Sequence, residues 1–170
     1  MNYLIDDMAA RDWERVRSIY RHGIATGNAT FESAVPDWEE WDSSHLQGPR
    51  LVARVGDTIL GWAALSPVSD RCAYTGVAEV SLYVGVEHRG GGVGTALLRA
   101  LIERAEREGI WTLQAGVFPE NEGSLKLLER EGFRVVGCRK RLGKMTYGPY
   151  SDRWRDVLLL ERRSETVGTD

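Results

Sequence analysis

The sequence has few cysteines, few histidines and no excess of positive charge. Its two cysteines, Cys72 and Cys138, are isolated, and neither lies at metal-ligand spacing from a histidine. We therefore expect free, structural thiols and no metal site. The formal net charge of −3 gives no global basic field that would attract nucleic acid or an anionic membrane. Neither is expected as a partner.

Long apolar runs are also missing. None approaches the roughly 18 residues of a membrane-spanning helix, and residues 1–7 lack the basic-then-apolar order of a secretory signal. A cytoplasmic location is the expectation. With 42% hydrophobic and 28% charged residues, a chain of 170 residues suits one compact domain with a substantial core. We predict a single domain over residues 1–163 and a flexible polar tail over residues 164–170.

Strand and helix patterns alternate along the chain. Residues 92–108 have the clearest helical period, with an apolar stripe that includes Leu97 and Leu101. Residues 76–84 alternate as a strand, which places Glu79 opposite the most apolar face of that strand. Further strands are predicted at residues 3–6, 51–55, 58–65, 112–118, 133–139 and 154–161, and further helices at residues 12–26, 37–45 and 122–131. The pattern predicts an α/β domain with a mixed sheet.

A glycine-rich turn separates the strand at residues 76–84 from the helix at residues 92–108. Its sequence is Arg89-Gly90-Gly91-Gly92-Val93-Gly94-Thr95. Amides without a Cβ beside them can wrap closely around a phosphate, and the N-terminus of a helix adds partial positive charge. The turn lacks the Lys-Ser/Thr of a P-loop and the spacing of a dinucleotide fingerprint. It indicates a pyrophosphate site, although a plain strand-to-helix turn would also account for the glycines.

Two motifs in order carry a resemblance to a known family. Arg89-x-x-Gly92-x-Gly94 matches the R/Q-x-x-G-x-G/A acetyl-CoA signature of the GNAT superfamily of N-acetyltransferases, and residues 121–133 resemble its N-x-x-S-x-x-L-Y-x-x-x-G-F helix. Within the superfamily, the chain looks most like the phosphinothricin and methionine sulfone (sulfoximine) acetyltransferases. Three shorter segments support this narrower resemblance: Thr30-Phe31-Glu32, residues 71–75 and Trp154-Arg155-Asp156-Val157.

The resemblance implies the GNAT fold and acetyl-CoA as the cosubstrate. That fold has a mixed, mostly antiparallel central sheet flanked by helices, with acetyl-CoA in the wedge between splayed central strands. Asn121 and Ser124 would bond the cofactor or order a water. The backbone that would pair with the pantetheine arm is that of Leu82, Tyr83 and Val84, and the pyrophosphate would be held by Arg89, Gly90, Gly91, Gly92, Val93, Gly94 and Thr95.

The resemblance also implies roles on the acceptor side. Glu79 aligns with the glutamate regarded as the general base, and an α-ammonium must lose a proton before it can attack the thioester. Arg71 would bind a substrate carboxylate through its guanidinium. The complete predicted acceptor site is Phe31, Glu32, Arg71, Tyr74 and Thr75. The implied activity is N-acetylation by direct attack of a small amino-acid-like amine, of the phosphinothricin, methionine sulfone or methionine sulfoximine class, and the implied assembly is a homodimer.

Two departures from the family pattern keep alternatives open. Leu128 stands where many GNAT enzymes have a tyrosine proposed to protonate the leaving thiolate. Residues 144–153 form a long loop without the histidine that some phosphinothricin enzymes have there, and its Tyr147 and Tyr150 are candidates for contacting substrate or a second subunit. The alternative functions are acetylation of a polyamine, an aminoglycoside or a protein N-terminus, a non-catalytic CoA-binding or sensing domain, and a phosphate-binding α/β module outside GNAT. Glu79 and Arg71 also fit plain surface positions.

Overall fold

The structure, a computed structural model, describes residues 2–170. These residues form seven strands in one mixed sheet and four α-helices, which agrees with the α/β fold class expected from the sequence. In chain order the elements are β1 (Leu4–Asp7), α1 (Trp13–Ala25), α2 (Trp38–Ser44), β2 (Arg50–Val55), β3 (Thr58–Pro67), β4 (Val77–Val84), α3 (Val93–Arg107), β5 (Thr112–Val117), α4 (Glu122–Arg130), β6 (Arg134–Lys144) and β7 (Trp154–Arg163). The strand order is β1-β2-β3-β4-β5-β7-β6, and every pairing is antiparallel except that of β4 with β5.

Two cores cover the two faces of the sheet. On one face, the apolar stripe of α3 packs on the central strands together with Leu128 of α4, and the stripe residues predicted from the sequence are all buried. On the other face, α1 and α2 bring tryptophans against Trp62 of β3 and the partly buried Tyr83 of β4. Successive residues of β4 therefore point into different cores, as the alternation of the sequence predicts.

The central strands diverge half-way along their length. β4 pairs with β3 from Ala78 to Val84. Its parallel pairing with β5 consists of Val77 with Thr112, Ala78 with Leu113, and Glu79 with Gln114. Past the last of these pairs the two strands separate, and a wedge opens between residues 80–84 of β4 and residues 115–117 of β5.

The β6–β7 hairpin differs most from the prediction. β6 is exposed along nearly its whole length and continues to Lys144, five residues beyond the predicted end at Arg139. Irregular register with β7 and a left-handed backbone at Arg141 interrupt the strand. Because neither face of this edge strand is buried, its sequence has no period from which its length could be predicted. The loop that follows is ordered by buried Met145, which packs with Phe118 and Val157.

The segment after β7 contacts the domain. The Ser164 side chain is buried, and its backbone N–H donates to the Trp111 carbonyl at 2.8 Å. The Arg163 guanidinium donates to the carbonyls of Val167 and Gly168. These contacts hold residues 164–168 against the sheet, and the mobility expected for residues 164–170 stays a prediction.

Three further findings concern residues 2–170 as a whole. Cys72 and Cys138 are free thiols, as expected, and both are exposed. In this part of the chain no group of three or more His, Cys, Asp or Glu side chains is placed to hold a metal ion. No helix within it has both the length and the apolar character needed to cross a bilayer.

Candidate active site

A cavity of about 900 Å³ occupies the wedge between β4 and β5. We call it the cleft. One side is formed by the turn before α3 and by α4, and the other by Tyr20 and the segment of residues 28–31. Of the residues predicted for the site, the cleft brings together Phe31, Glu79, Leu82, Tyr83, Val84, Arg89, Gly90, Gly92, Gly94, Thr95, Asn121 and Ser124. Gly91, Val93, Glu32, Arg71, Tyr74 and Thr75 do not line it.

The glycine turn has the backbone that an anion site requires. Gly90 and Gly92 have φ angles of +75° and +82°, a left-handed conformation that side chains with a Cβ rarely adopt. Gly92 is the N-cap of α3, so the first free N–H groups of that helix face the cleft. A Cβ on Gly94 would lie 3.2 Å from Leu127 Cδ2, so glycine also permits the close approach of α3 to α4. The exposed Arg89 donates weakly to the Val84 carbonyl at 3.4 Å.

The start of α4 is fixed by Asn121. Its Oδ1 accepts from the Ser124 N–H at 3.3 Å and caps the helix, and its Nδ2 donates to the Asn28 carbonyl at 3.1 Å. Both polar atoms of this side chain are therefore engaged within the protein, while Ser124 faces the cleft. The cofactor contacts predicted for both residues stay predictions.

Glu79 lies where the pairing of β4 with β5 ends. It is exposed, and its Oε2 accepts a hydrogen bond from Gln114 Nε2 at 3.0 Å across the last register pair. This places an oriented carboxylate at the apex of the wedge, on the side of the sheet opposite the α3 core. The buried Leu128 side chain belongs to that core and offers no proton.

Phenols and other aromatic rings also line the cleft. Tyr83 stacks on Trp62 at 5.0 Å and meets Tyr20 at 4.8 Å between ring centroids. Burial, followed by the nearby Glu32 carboxylate, raises the pKa of Tyr20 to about 12. Burial likewise raises the pKa of Tyr83 far above its usual range. Both phenols keep their protons at neutral pH and can act as hydrogen-bond donors. Phe31 packs edge-on against Phe118 at 5.0 Å.

The segment of residues 71–75 lies away from the cleft. It contains a single turn, Cys72–Tyr74, directly before β4 and therefore at the paired end of β4 and β5, whereas the cleft opens at the other end. There the Arg71 guanidinium lies 5.9 Å from the centre of the Tyr74 ring. The structure does not bring Arg71, Tyr74 and Thr75 together with Glu79 in one cavity, and their acceptor roles stay predictions.

Sequence reasoning missed several residues that do line the cleft. The most notable is Arg139 of β6, which lies opposite Val157 in register and lines both the cleft and a shallow neighbouring pocket. Within residues 2–170 it has no ion-pair partner. In the sequence, the basic run Arg139-Lys140-Arg141 was the feature that could have identified Arg139 as a candidate site residue. Tyr147 and Tyr150 pack beside Phe118 and Met145, and Tyr147 donates to the Thr30 carbonyl at 2.8 Å. Their contact with substrate or with a second subunit stays a prediction.

Comparison with known proteins settles the family. The model of the acetyltransferase (GNAT) family matches residues 7–133, which include the glycine turn, Glu79 and all of α4. The chain belongs to the GNAT acetyltransferase family. The match stops before β6, but solved GNAT structures extend over the whole chain. A GNAT superfamily phosphinothricin acetyltransferase from Sinorhizobium meliloti, in complex with AcCoA, aligns with 100% of this chain and 97% of its own length at a TM-score of 0.82 and 28% identity.

Two relatives of this GNAT chain are named for the compounds that they acetylate. A phosphinothricin N-acetyltransferase from Alcaligenes faecalis is 35% identical over 89% of this chain and 77% of the relative. An L-methionine sulfoximine/L-methionine sulfone acetyltransferase from Pseudomonas paraeruginosa is 30% identical over 95% of this chain and 94% of the relative. The family and the group predicted from the sequence motifs are thereby confirmed.

Proposed function

We propose that the chain transfers the acetyl group of acetyl-CoA to the amine of a small amino-acid-like substrate by direct attack. The observation that carries this proposal is the placement of Glu79. It lies at the apex of a cleft, and the glycine turn of α3 forms part of one side of that cleft. A base and an anion-binding helix N-terminus therefore face one space of about 900 Å³.

Acetyl-CoA fits the cleft by chemistry as well as by family. Its pyrophosphate would lie against the N–H groups of residues 89–95, where Arg89 adds the one charged side chain of the turn that is free to move toward it. Its pantetheine amides would pair with the free edge of β4 at residues 82–84, since β5 has already diverged there. The complex of the Sinorhizobium relative with AcCoA supports this assignment.

The transfer follows from these positions. Glu79, directly or through a water, takes a proton from the acceptor ammonium, and the amine nitrogen attacks the thioester carbonyl carbon. A backbone N–H of β4 in the wedge would stabilise the oxyanion of the tetrahedral intermediate. Collapse of the intermediate breaks the C–S bond and releases the CoA thiolate, and the nitrogen loses its second proton to solvent to give the neutral amide. Because Leu128 has no proton to give, the thiolate takes one from solvent, from Ser124 or from the phenol of Tyr20 or Tyr83.

The acceptor is proposed to have a carboxylate, as phosphinothricin, methionine sulfone and methionine sulfoximine have. Arg139 supports this substrate class because it places an unpaired guanidinium in the same cleft as Glu79. Arg71 stays the candidate that the family resemblance predicts. A carboxylate held by either arginine would leave the α-amine free to face the acetyl group.

A homodimer and a cytoplasmic location complete the proposal. The shallow pocket beside Arg139 joins Gln114 to the apolar side chains of Val68, Val136 and Leu159, and Val68 and Val136 are exposed by 40% and 45%. A patch of this kind suits contact with a second copy of the chain. Two exposed free thiols suit a reducing compartment.

Replacement of Glu79 by glutamine tests the proposed base. Release of the CoA thiol from acetyl-CoA is measured with phosphinothricin, methionine sulfone, methionine sulfoximine and a polyamine. We expect wild-type turnover of the carboxylated amines, and a loss of about 10²-fold or more in kcat for Glu79→Gln, because the amide cannot accept the proton. Glu103→Gln, on the exposed face of α3, is the control and should keep wild-type rates.

Three results would contradict the proposal. Acetyl-CoA binding without thiol release for any amine would identify a non-catalytic CoA-binding domain. Preferred turnover of the polyamine would identify a cationic substrate class. Equal rates for Glu79→Gln and wild type would remove Glu79 from the mechanism.

A further inference from the structure

A buried arginine lies behind the wall of the cleft that is formed by residues 28–31. Arg155, the second residue of β7, is only 3% exposed. Its guanidinium is sandwiched between the rings of Phe118 and Tyr150, with Cζ 3.8 Å and 3.9 Å from the two ring centroids. Burying a guanidinium between two rings costs free energy unless its N–H groups are also hydrogen-bonded. The partners of those N–H groups therefore decide what Arg155 does.

Those contacts tie separate parts of the chain together. Nη1 donates to the Gly27 carbonyl at 2.9 Å, and Nη2 donates to Asn28 Oδ1 at 2.9 Å. Nη2 also meets Glu120 Oε2 at 3.2 Å, in the connection from β5 to α4. One planar group thus joins the end of the α1 segment, the connection before α4 and the β6–β7 hairpin that carries Tyr150.

The segment that Arg155 holds forms a wall of the cleft. Residues 28–31 all line the cleft, and none of them lies in a helix or strand. Their position depends on side-chain bonds: Arg155 to Asn28, Asn121 Nδ2 to the Asn28 carbonyl at 3.1 Å, and the Tyr147 hydroxyl to the Thr30 carbonyl at 2.8 Å. Asn121 also caps α4, so residues 28–31 and the start of α4 share one network.

We propose that Arg155 is a positioning residue that sets the acceptor wall, residues 28–31, against the start of α4. This role rests on the proposed function and adds to it a determinant of acceptor binding outside the cleft. Arginine is required because a planar guanidinium can lie between two rings while its edge reaches three acceptors, and a lysine ammonium cannot do both. Removal of the guanidinium leaves the wall free to shift while Glu79 and the glycine turn keep their places.

Arg50 provides a matched control. It is also buried, lies over Trp41 at 5.1 Å, pairs with Asp42 and donates to the carbonyls of Leu46 and His45. It does not line the cleft or touch residues 28–31. Arg155→Lys and Arg50→Lys therefore remove the same kind of buried, ring-stacked guanidinium, one beside the acceptor wall and one far from it.

The first experiment compares steady-state kinetics of the two variants. For Arg155→Lys we expect the acceptor KM to rise about tenfold or more, with the KM for acetyl-CoA within about threefold of wild type, since displacement of a binding wall weakens one ligand only. For Arg50→Lys the acceptor KM should stay within about twofold of the wild-type value, even if this variant loses as much thermal stability as Arg155→Lys does. An equal change in acceptor KM for both variants, or none for Arg155→Lys, would overturn the proposal.

The second experiment does not depend on turnover. Amide hydrogen exchange of residues 26–31 in the free protein should become faster in Arg155→Lys and remain as in wild type in Arg50→Lys. Asn28→Ala keeps Arg155 and its stacking but removes one of its hydrogen-bond partners, so it should also accelerate exchange, to a smaller extent. This variant replaces Arg155→Lys in the experiment if Arg155→Lys does not fold. Unchanged exchange would overturn the positioning role even in an active enzyme. Absence of wild-type turnover with faster exchange in the variants would overturn the proposed function alone.

Discussion

Two arginines are candidates for binding an acceptor carboxylate, and they lie in different parts of the molecule. Arg71 lies before β4, at the end where β4 and β5 are still paired. Arg139 lies on β6 and lines the cleft. Arg71 was predicted from the short segment of residues 71–75, because the order of such segments along the chain can be read from a sequence. The second depends on the hairpin that folds β6 beside β7, and no local pattern of residues reports that pairing.

The two arginines can be separated by parallel replacement. Because a guanidinium–carboxylate pair in a cleft is a strong, charge-assisted contact, Arg139→Gln should raise the KM for a carboxylated amine about tenfold or more. The same variant should have little effect on the decarboxylated amine, and that difference between substrates is the measurement. A rise in KM for Arg71→Gln and none for Arg139→Gln would assign the carboxylate to Arg71 and contradict the geometric argument.

At the level of elements, α3 was the most predictable part of the chain and β6 the least. The apolar stripe of α3 is buried on one face only, so its period of 3.6 residues is written in the sequence. The glycines before it were predicted as a turn, and their left-handed backbone confirms it. β6 has both faces exposed and interrupted register, so neither its length nor the cleft-lining Arg139 followed from composition. Arg155 was not predicted as a site residue for a related reason, since its partners are distant in sequence.

The glycine at the start of α3 permits a test with an internal control. Gly92 and Gly109 have nearly the same left-handed φ, +82° and +83°, at opposite ends of α3. An alanine at either site should cost about 1 kcal/mol of unfolding free energy, measured by chemical denaturation. Only Gly92→Ala should also weaken acetyl-CoA binding, by about tenfold in calorimetry, because only Gly92 orients amides toward the cleft. Equal affinities for the two variants would remove the turn from cofactor binding.

On the scale of the whole molecule, the exposed apolar residues are unevenly distributed. Val135, Val136 and Leu142 of β6 are each exposed by more than 40%, and Val68 lines a shallow pocket together with Val136. The pocket that contains Val68 and Val136 adjoins the cleft through Arg139, and its Gln114 bonds to Glu79 of the cleft. The GNAT motifs could identify the fold and the cofactor side of the site. They carry no information on this surface, because contact between copies depends on the shape of exposed strands.

The proposed homodimer can be tested by placing charge on this surface. Val136→Glu should convert a dimer into a monomer in light scattering at micromolar concentration, because burying an unpaired carboxylate in an interface costs several kcal/mol. Leu4→Glu, at the exposed start of the opposite edge strand β1, is the control and should leave the mass unchanged. A monomeric wild type, or a Val136→Glu protein that is still a dimer, would exclude this surface as the interface.

The wedge between β4 and β5 has a consequence for how the protein avoids unwanted association. Where the two strands part, each has a strand edge in the middle of the sheet, and exposed edges normally invite pairing with other chains. Here β3 and β7 pair with the outer sides of these strands, and α3 and α4 lie across one face of the gap. An extended ligand as thin as a single strand fits between them, while a folded neighbour with its own side chains on both faces does not. The exposed strand edge in the wedge is therefore accessible to a thin, extended ligand but not to a strand of a second copy of the protein.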